Sequence, residues 1–286
     1  MKYLHYYIIV GIVLLTAAIA FAFKDKTGFR PIEDDIPITY TIDKDWELPE
    51  ELEEVSGIAW LKDDKIACIQ DEDGIIFIYD LNTKKIVDEI GFADAGDYEG
   101  IAVKNKNAYV MRSDGKLYEV QNFMEKDEKT NSYQTPFSGK NNMESLTFDT
   151  KNNRLLTSPK DRDLDDDDFK GIYQISLSDK KIMPEPIYEL DMKSSEFKDF
   201  AKKKAYKTFG PSDMAIHPKT GDIYILDGKN PKLLILDPKG NPKKIHLFDE
   251  KDFPQPEGIT FSPDGKLYIS NEANDGAATI FEVTLD

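Results

Sequence analysis

Glu257-Gly258-Ile259-Thr260-Phe261, followed by Pro263-Asp264-Gly265 and then Leu267–Asn271, is the stretch on which the fold turns, because its pattern recurs along the chain. The first five residues are matched by Ser56-Gly57-Ile58-Ala59-Trp60, Glu99-Gly100-Ile101-Ala102-Val103, Glu144-Ser145-Leu146-Thr147-Phe148 and Ser212-Asp213-Met214-Ala215-Ile216. The starts of the five segments are separated by 43, 45, 68 and 45 residues. Self-similarity at such a period marks a repeat architecture rather than a set of unrelated strands. In each copy a small or acidic residue opens an apolar strand and a polar turn follows it. The turns include Asp63-Asp64, Lys151-Asn152-Asn153, Pro218-Lys219-Thr220-Gly221 and Pro263-Asp264-Gly265, residues that supply preset or positive φ.

Working outward, each turn leads to a second strand (Ile66–Gln70, Ala108–Met111, Leu155–Ser158, Ile223–Asp227, Leu267–Asn271). A third follows (Ile75–Asp80, Lys116–Val120, Gly171–Leu177, Lys232–Asp237, Ala278–Leu285). A fourth is expected at Ile86–Gly91, Tyr133–Phe137, Ile187–Leu190 and Lys244–Phe248. Four strands in about 40–45 residues make one blade of a β-propeller. The last unit ends after its third strand, and Ile36–Ile42 alternates well enough to supply the missing edge. The fold class is therefore all-β, a five-bladed β-propeller over residues 36–286. The 68-residue spacing leaves room for a sixth blade, but Ser194–Lys207 within it reads as an inserted short helix with Phe197, Phe200 and Ala201 on one face.

In a propeller the first strand of each blade lines the axis, so equivalent positions face one another. One column is Ser56, Glu99, Glu144, Ser212 and Glu257; the next is Gly57, Gly100, Ser145, Asp213 and Gly258. Three glutamates meeting at one hub repel, and left alone at least one would take up a proton. A hard dication with oxygen ligands removes the conflict, and calcium suits such a set. Glu99, Glu144 and Glu257 are the candidate ligands, with Asp213 and Asn271 as weaker ones. The competing reading has these acids bonding backbone amides of neighbouring blades. Asp71, Glu72, Arg112, Asp227 and Glu272 sit where second strands end; with Ser56 and Ser212 they are candidates for a pocket at one channel mouth. The aspartate run Asp161–Asp168 lacks glycine at its sixth position and Glu at its twelfth, so it reads as a solvated loop. His217, in a turn before Pro218, reads as surface. Cys68, the only cysteine, reads as a packed core thiol.

The chain carries a net charge of −17, and every acidic residue lies after Lys24. A field of that sign excludes nucleic acid and anionic lipid as partners of the domain and attracts cations. Before it, residues 6–23 are uncharged. Residues 1–24 fit either a cleaved signal peptide, with Ala18-Ile19-Ala20 or Ala20-Phe21-Ala22 as the cleavage site, or a retained membrane anchor; residues 25–35 form a linker. Lys24, Lys26 and Arg30 after the apolar run would hold the C-terminal side of an uncleaved anchor in the cytoplasm.

Val55-Ser56-Gly57-Ile58-Ala59, Gly96-Asp97-Tyr98-Glu99-Gly100-Ile101-Ala102, Asn142-Met143-Glu144-Ser145-Leu146 and Pro256-Glu257-Gly258-Ile259-Thr260 with Leu267-Tyr268-Ile269-Ser270-Asn271-Glu272 together resemble the SdiA-regulated family of bacterial propeller proteins, over roughly Leu48 to Leu285. The resemblance implies five blades, an N-terminal export or membrane segment that places the domain in the periplasm or cell envelope, and calcium near Glu99, Glu144 and Glu257. It also implies a distant relation to NHL-repeat propellers, some of them calcium-dependent lactonases or esterases. Ser212-Asp213-Met214 departs from the pattern, and no histidine pair of the paraoxonase kind is present. Two functions follow as expectations. One is an exported or membrane-anchored calcium-binding module for a small molecule or protein. The other is a calcium-dependent hydrolase of the lactonase or phosphoesterase kind, with Glu144 as base.

Overall fold

Each hairpin between the first two strands of a repeat holds at least one residue in the left-handed region. These are Asp63 and Asp64 (φ 59° and 53°), Asn105 (56°), Asn153 (53°), Gly221 (74°) and Gly265 (97°). Such residues let the chain reverse tightly enough for the strands to pair at once. The computed structural model describes residues 39–274 and 276–286, which lie in a unit spanning Ile38–Asp286. The leader (1–24), the linker (25–35) and the start of the expected 36–42 strand fall outside the described residues.

Twenty strands form five antiparallel sheets of four. The chain enters as β1 (Tyr40–Glu47) and then lays down four consecutive blades. Blade one is β2 (Val55–Trp60), β3 (Lys65–Gln70), β4 (Ile75–Asp80) and β5 (Lys85–Gly91). Blade two is β6 (Tyr98–Lys104), β7 (Asn107–Arg112), β8 (Lys116–Gln121) and β9 (Lys129–Gln134). Blade three is β10 (Thr147–Asp149), β11 (Arg154–Thr157), β12 (Phe169–Ser176) and β13 (Tyr188–Asp191). Blade four is β14 (Pro211–Ile216), β15 (Ile223–Asp227), β16 (Lys232–Leu236) and β17 (Pro242–Leu247). Blade five combines β18 (Pro256–Phe261), β19 (Leu267–Asn271) and β20 (Thr279–Leu285) with β1, in the order β1-β20-β19-β18. The N-terminal strand thus closes the ring, a few residues later than the alternation suggested, with Tyr40 opposite Leu285 and Glu47 opposite Thr279.

Two elements differ from what the sequence pattern predicts. The fourth strand of blade two is Lys129–Gln134, not Tyr133–Phe137; Phe137 lies past it, buried edge-to-face on Tyr173 at 5.1 Å. The insertion before blade four is two short 3-10 turns, Ser195–Phe200 and Ala205–Lys207, rather than one helix. Of its expected apolar face only Phe197 is buried, and Ala201 turns to ψ 128°, which ends the helical path. Among the described residues there is no sixth sheet.

Five apolar clusters fill the five gaps between blades. Ile69, Ile78, Tyr98 and Val110 lie between blades one and two. Leu117, Leu155 and Tyr173 fill the next gap, and Leu156, Ile172, Ile225 and Leu234 the one after it. Leu226, Ile259 and Val283 follow, and Ile58, Tyr79 and Ile280 complete the circuit. Cys68 is fully buried in this last cluster, as expected, and burial raises its thiol. Neighbours such as Leu155 and Leu156 serve opposite interfaces, the period-two alternation of a strand buried on both faces. Inner strands meet large against small: Ile101 shares a cluster with Ala59, Leu146 with Ala102, and Ile259 with Ala215.

Glycine in the second column sets how closely inner strands approach. A Cβ on Gly100 would lie 2.5 Å from the carbonyl oxygen of Glu144, and one on Gly57 2.8 Å from that of Glu99. Gly100→Ala is therefore expected to lower the unfolding free energy by about 1–3 kcal/mol through overpacking. Gly91→Ala, where a Cβ meets nothing within 4 Å, is expected to leave it within about 0.5 kcal/mol of the parent. Urea unfolding of the two variants checks both; equal effects would show that the hub is not close-packed.

Candidate functional site

Column-one residues reach the axis because the ladder breaks there. The register shifts between Val55 and Gly57, Tyr98 and Gly100, Pro211 and Asp213, and Pro256 and Gly258. Ser56, Glu99, Ser212 and Glu257 are the extra residues of these bulges. A bulge re-aims a side chain that regular pairing would hold in the sheet. Blade three does the same with a hydroxyl: Met143 bridges Pro159, and Ser145 Oγ then both donates to the Ser158 carbonyl (3.0 Å) and accepts from the Ser158 N–H (2.9 Å), skipping Glu144.

The five positions divide into two uses. Ser56 donates its hydroxyl to the Tyr98 carbonyl at 2.6 Å, and Ser212 to the Pro256 carbonyl at 3.1 Å. Both tie one blade to the next and neither is free to line a pocket. The three glutamates share one neighbourhood and, among the described residues, accept no backbone amide. Glu144 is buried, takes the Asn142 side-chain N–H at 2.6 Å and pairs with the Lys160 ammonium at 2.5 Å; Glu257, also buried, lies 3.9 Å from the same ammonium. Burial, then the charges of Glu144 and Asp97, raise Glu99 to about 10. Burial raises Glu144 to about 8 against the pull of Lys160, with Glu257 adding to the rise. Glu257 is raised by burial too. Burial works against the charge of Lys160, yet Glu257 and Glu144 together hold its ammonium above the ordinary lysine range.

Lys160 is the residue that a reading by acids missed. Strand pairing shows its place: Val55 stands opposite Gln70, Tyr98 opposite Arg112, Met143 opposite Pro159, Pro211 opposite Asp227 and Pro256 opposite Asn271. The next residue in each blade is Asp71, Ser113, Lys160, Gly228 or Glu272. Lys160 is thus the third-blade equivalent of two residues expected at the mouth. Its segment is braced by the buried Lys170, whose ammonium donates to the carbonyls of Lys160 (2.8 Å) and Asp161.

The other expected positions separate. Asp213 spends both oxygens on amides, Oδ1 on Met214 (2.8 Å) and Leu146 (3.4 Å) and Oδ2 on Ile259 (2.9 Å). It is an inter-blade staple rather than a ligand. Asp227 is fully buried against the Lys232 ammonium at 2.5 Å, and Arg112 forks onto Asp114 at 3.0 and 2.6 Å; neither is brought to the glutamates. Glu72 is exposed. Asp71 and Glu272 do belong to the acidic rim. Burial, then Glu54, lift Asp71 to about 6; burial, then a hydrogen bond with Glu54, lift Glu272 to about 8. The Asp161–Asp168 run is occupied internally: Asp163 accepts from Gly171 and Tyr173, while Asp167 and Asp168 pair with Arg162 and Lys193.

Calcium fits this mouth by donor chemistry and only in part by arrangement. The donors are hard oxygens, and buried Asp71 Oδ1 and Asn271 Oδ1 have no hydrogen-bond partner among the described residues; both are what a hard cation or its water would engage. Against that, Lys160 already stands among the glutamates. Among the described residues, no three His, Cys, Asp or Glu side chains form a ready cage.

The chain belongs to the SdiA-regulated family, whose pattern matches residues 38–275. No curated protein matches the sequence. Among solved structures the fold is similar to glutaminyl cyclase from Myxococcus xanthus, at 12% identity and TM-score 0.57 over 86% of this chain and 96% of that one. It is also similar to a protein of unknown function from Bacteroides thetaiotaomicron (15%, 0.52, 79% and 58%). The PQQ-bound aldose sugar dehydrogenase of Streptomyces coelicolor is a third (12%, 0.51, 86% and 98%). At these identities the likeness is one of fold alone.

The raised glutamates make stability depend on pH. Below about pH 4.5 folded and unfolded chains both hold the proton. Above it the unfolded chain releases protons that Glu99 and Glu144 retain, so stability falls as pH rises toward about 8 and then 10. Glu99→Gln cannot ionise in either state. In chelator-treated protein it is expected to melt higher than the parent at pH 8, with a shallower fall between about pH 5 and 8, where one such group contributes up to about 1.4 kcal/mol per pH unit. Identical slopes would mean that Glu99 is solvated.

Proposed function

We propose that this member of the SdiA-regulated family is a binding module whose acidic mouth takes a calcium ion, displayed outside the cytoplasmic membrane behind residues 6–23. The observation that carries the reading is the charge imbalance at the hub: three carboxylates, two of them buried, face a single ammonium. Bound calcium would supply the missing positive charge, held by Glu99, Glu144 and Glu257 with Asn271 Oδ1 nearby. Lys160 is its internal competitor, and the protons held by Glu99 and Glu144 are what the ion displaces. Binding is preferred to hydrolysis because Glu144, the expected base, is engaged by the Lys160 ammonium and the Asn142 side-chain amide, while His217 lies in the β14–β15 hairpin and His246 on outer strand β17. Neither stands at the acidic mouth to act as base.

Calcium at a hundredfold excess over its dissociation constant is expected to raise the melting temperature by about 5–10 °C. Calorimetry in buffers of different ionisation enthalpy should show proton release, and Lys160→Met should bind more tightly by removing the competitor. An unchanged melting curve at millimolar calcium, with no proton release, would exclude the ion. Display outside the membrane is tested on the full chain in intact cells with the outer barrier opened. Added protease should degrade the propeller while cytoplasmic proteins survive; a protected propeller would place it inside.

A further inference from the structure

We propose that the channel mouth opposite the acidic one is a second binding site, for a small anionic amphiphile: a carboxylate or sulfonate joined to an apolar ring or short chain. Along each inner strand the acidic-column position and the fifth position of the repeat are four residues apart, about 13 Å in extended chain, so the two columns open at opposite ends. The fifth positions are Trp60, Val103, Phe148, Ile216 and Phe261, and they line a cavity of about 600 Å³, within the range of small-molecule sites. All five remain partly exposed, although each has the size and apolarity of a core residue. Trp60 rests on Tyr268 (ring centroids 4.9 Å) and Phe261 stands edge-on to Tyr224 (4.9 Å) and His217 (5.0 Å), so the walls are held in place before anything binds.

The sign of the ligand follows from the charged residues of the lining, which are Asp149, Lys151, Arg154 and Lys219. Asp149 is consumed, taking the Arg154 guanidinium at 2.9 Å and the Asn152 side-chain amide at 2.6 Å. The cations remaining at the rim are Lys151, which is exposed, and Lys219, whose ammonium leans on the Asp264 carbonyl. His217 accepts the N–H groups of Lys219 (3.3 Å) and Thr220 (3.2 Å) on Nδ1, which assigns its own proton to Nε2 and makes the ring a donor. In a chain of net charge −17, this mouth combines an apolar wall with a cationic rim, and an anion tethered to an apolar body satisfies both.

Anilinonaphthalenesulfonate is the probe, with the folded protein at neutral pH. One saturable site is expected, displaced by decanoate but not by decylamine at equal concentration. Reversing the rim with Lys151→Glu and Lys219→Glu should weaken binding about tenfold, some 1.4 kcal/mol. Reversing Lys85 and Lys129, exposed on outer strands away from the cavity, should leave it unchanged. Thr147→Trp should block the site by filling the channel wall; should that variant not fold, the charge-reversed pair carries the test. Absence of saturable binding, displacement by decylamine as effective as by decanoate, or indifference to the rim reversal would each overturn the proposal.

Discussion

Everything in this propeller depends on five inner strands approaching one axis closely enough to exclude side chains between their backbones. At three of the five junctions a glycine permits it: Gly258 against blade one, Gly57 against blade two and Gly100 against blade three. At the other two, the same repeat position holds Ser145 and Asp213, and Asp213 accepts amides from Leu146 of blade three and Ile259 of blade five as well as from its own strand. One residue thus joins three blades, and three buried N–H groups have it as their acceptor. An amide stranded in such a place costs more than an ordinary hydrogen bond contributes, so the serine-and-aspartate version of the motif in blade four is a different solution to closure rather than a decayed copy.

Close approach creates the electrostatic problem at the mouth. A bulge before the close contact, or in blade three the Ser145 hydroxyl, turns the preceding side chain toward the hub, whatever its chemistry. Serine there is harmless, because Ser56 and Ser212 hand their protons to the next blade's carbonyl. Glutamate has no such outlet. With Glu99, Glu144 and Glu257 sharing Lys160, the shortfall of positive charge is met by protons, and the raised carboxyls are its signature. Removing one partner of a buried pair is far more damaging than never having built it. Lys170, buried to brace the backbone that carries Lys160, extends that dependence a further step.

The ring was legible in the sequence because it repeats: the turn chemistry of Asp63-Asp64, Asn153, Gly221 and Gly265 and the strand that follows each are local signals. Strand β1 could be inferred from the missing fourth strand of the last unit, though alternation alone placed it a few residues early. The insertion at 194–207 was misjudged because a short apolar stripe does not distinguish one helix from two 3-10 turns when a single residue, Phe197, makes the burial. At the site, convergence of the three glutamates could be read from the repeat register, whereas their partners could not. Whether Asp213 or Asp227 points at the axis, an amide or a lysine depends on contacts between blades. Lys160 was the exception: it occupies the register of Asp71 and Glu272, and aligning all five second strands, rather than only those ending in acids, would have found it.

Two mouths of opposite character follow from one strand pattern. The inner strand begins with a polar residue and ends with a large apolar one, and five copies in parallel around an axis sum that polarity into an acidic end and an apolar end. The third and fourth positions are buried in the interfaces between blades, and the fifth-position residues pack against those interfaces only partly buried. Residues such as Ile101 and Ala59 complete that packing. Trp60, Phe148 and Phe261 thus serve closure with one side and leave the other exposed inside a concave opening where water is poorly accommodated. The cavity of about 600 Å³ therefore opens at the end of the channel where its walls are most apolar.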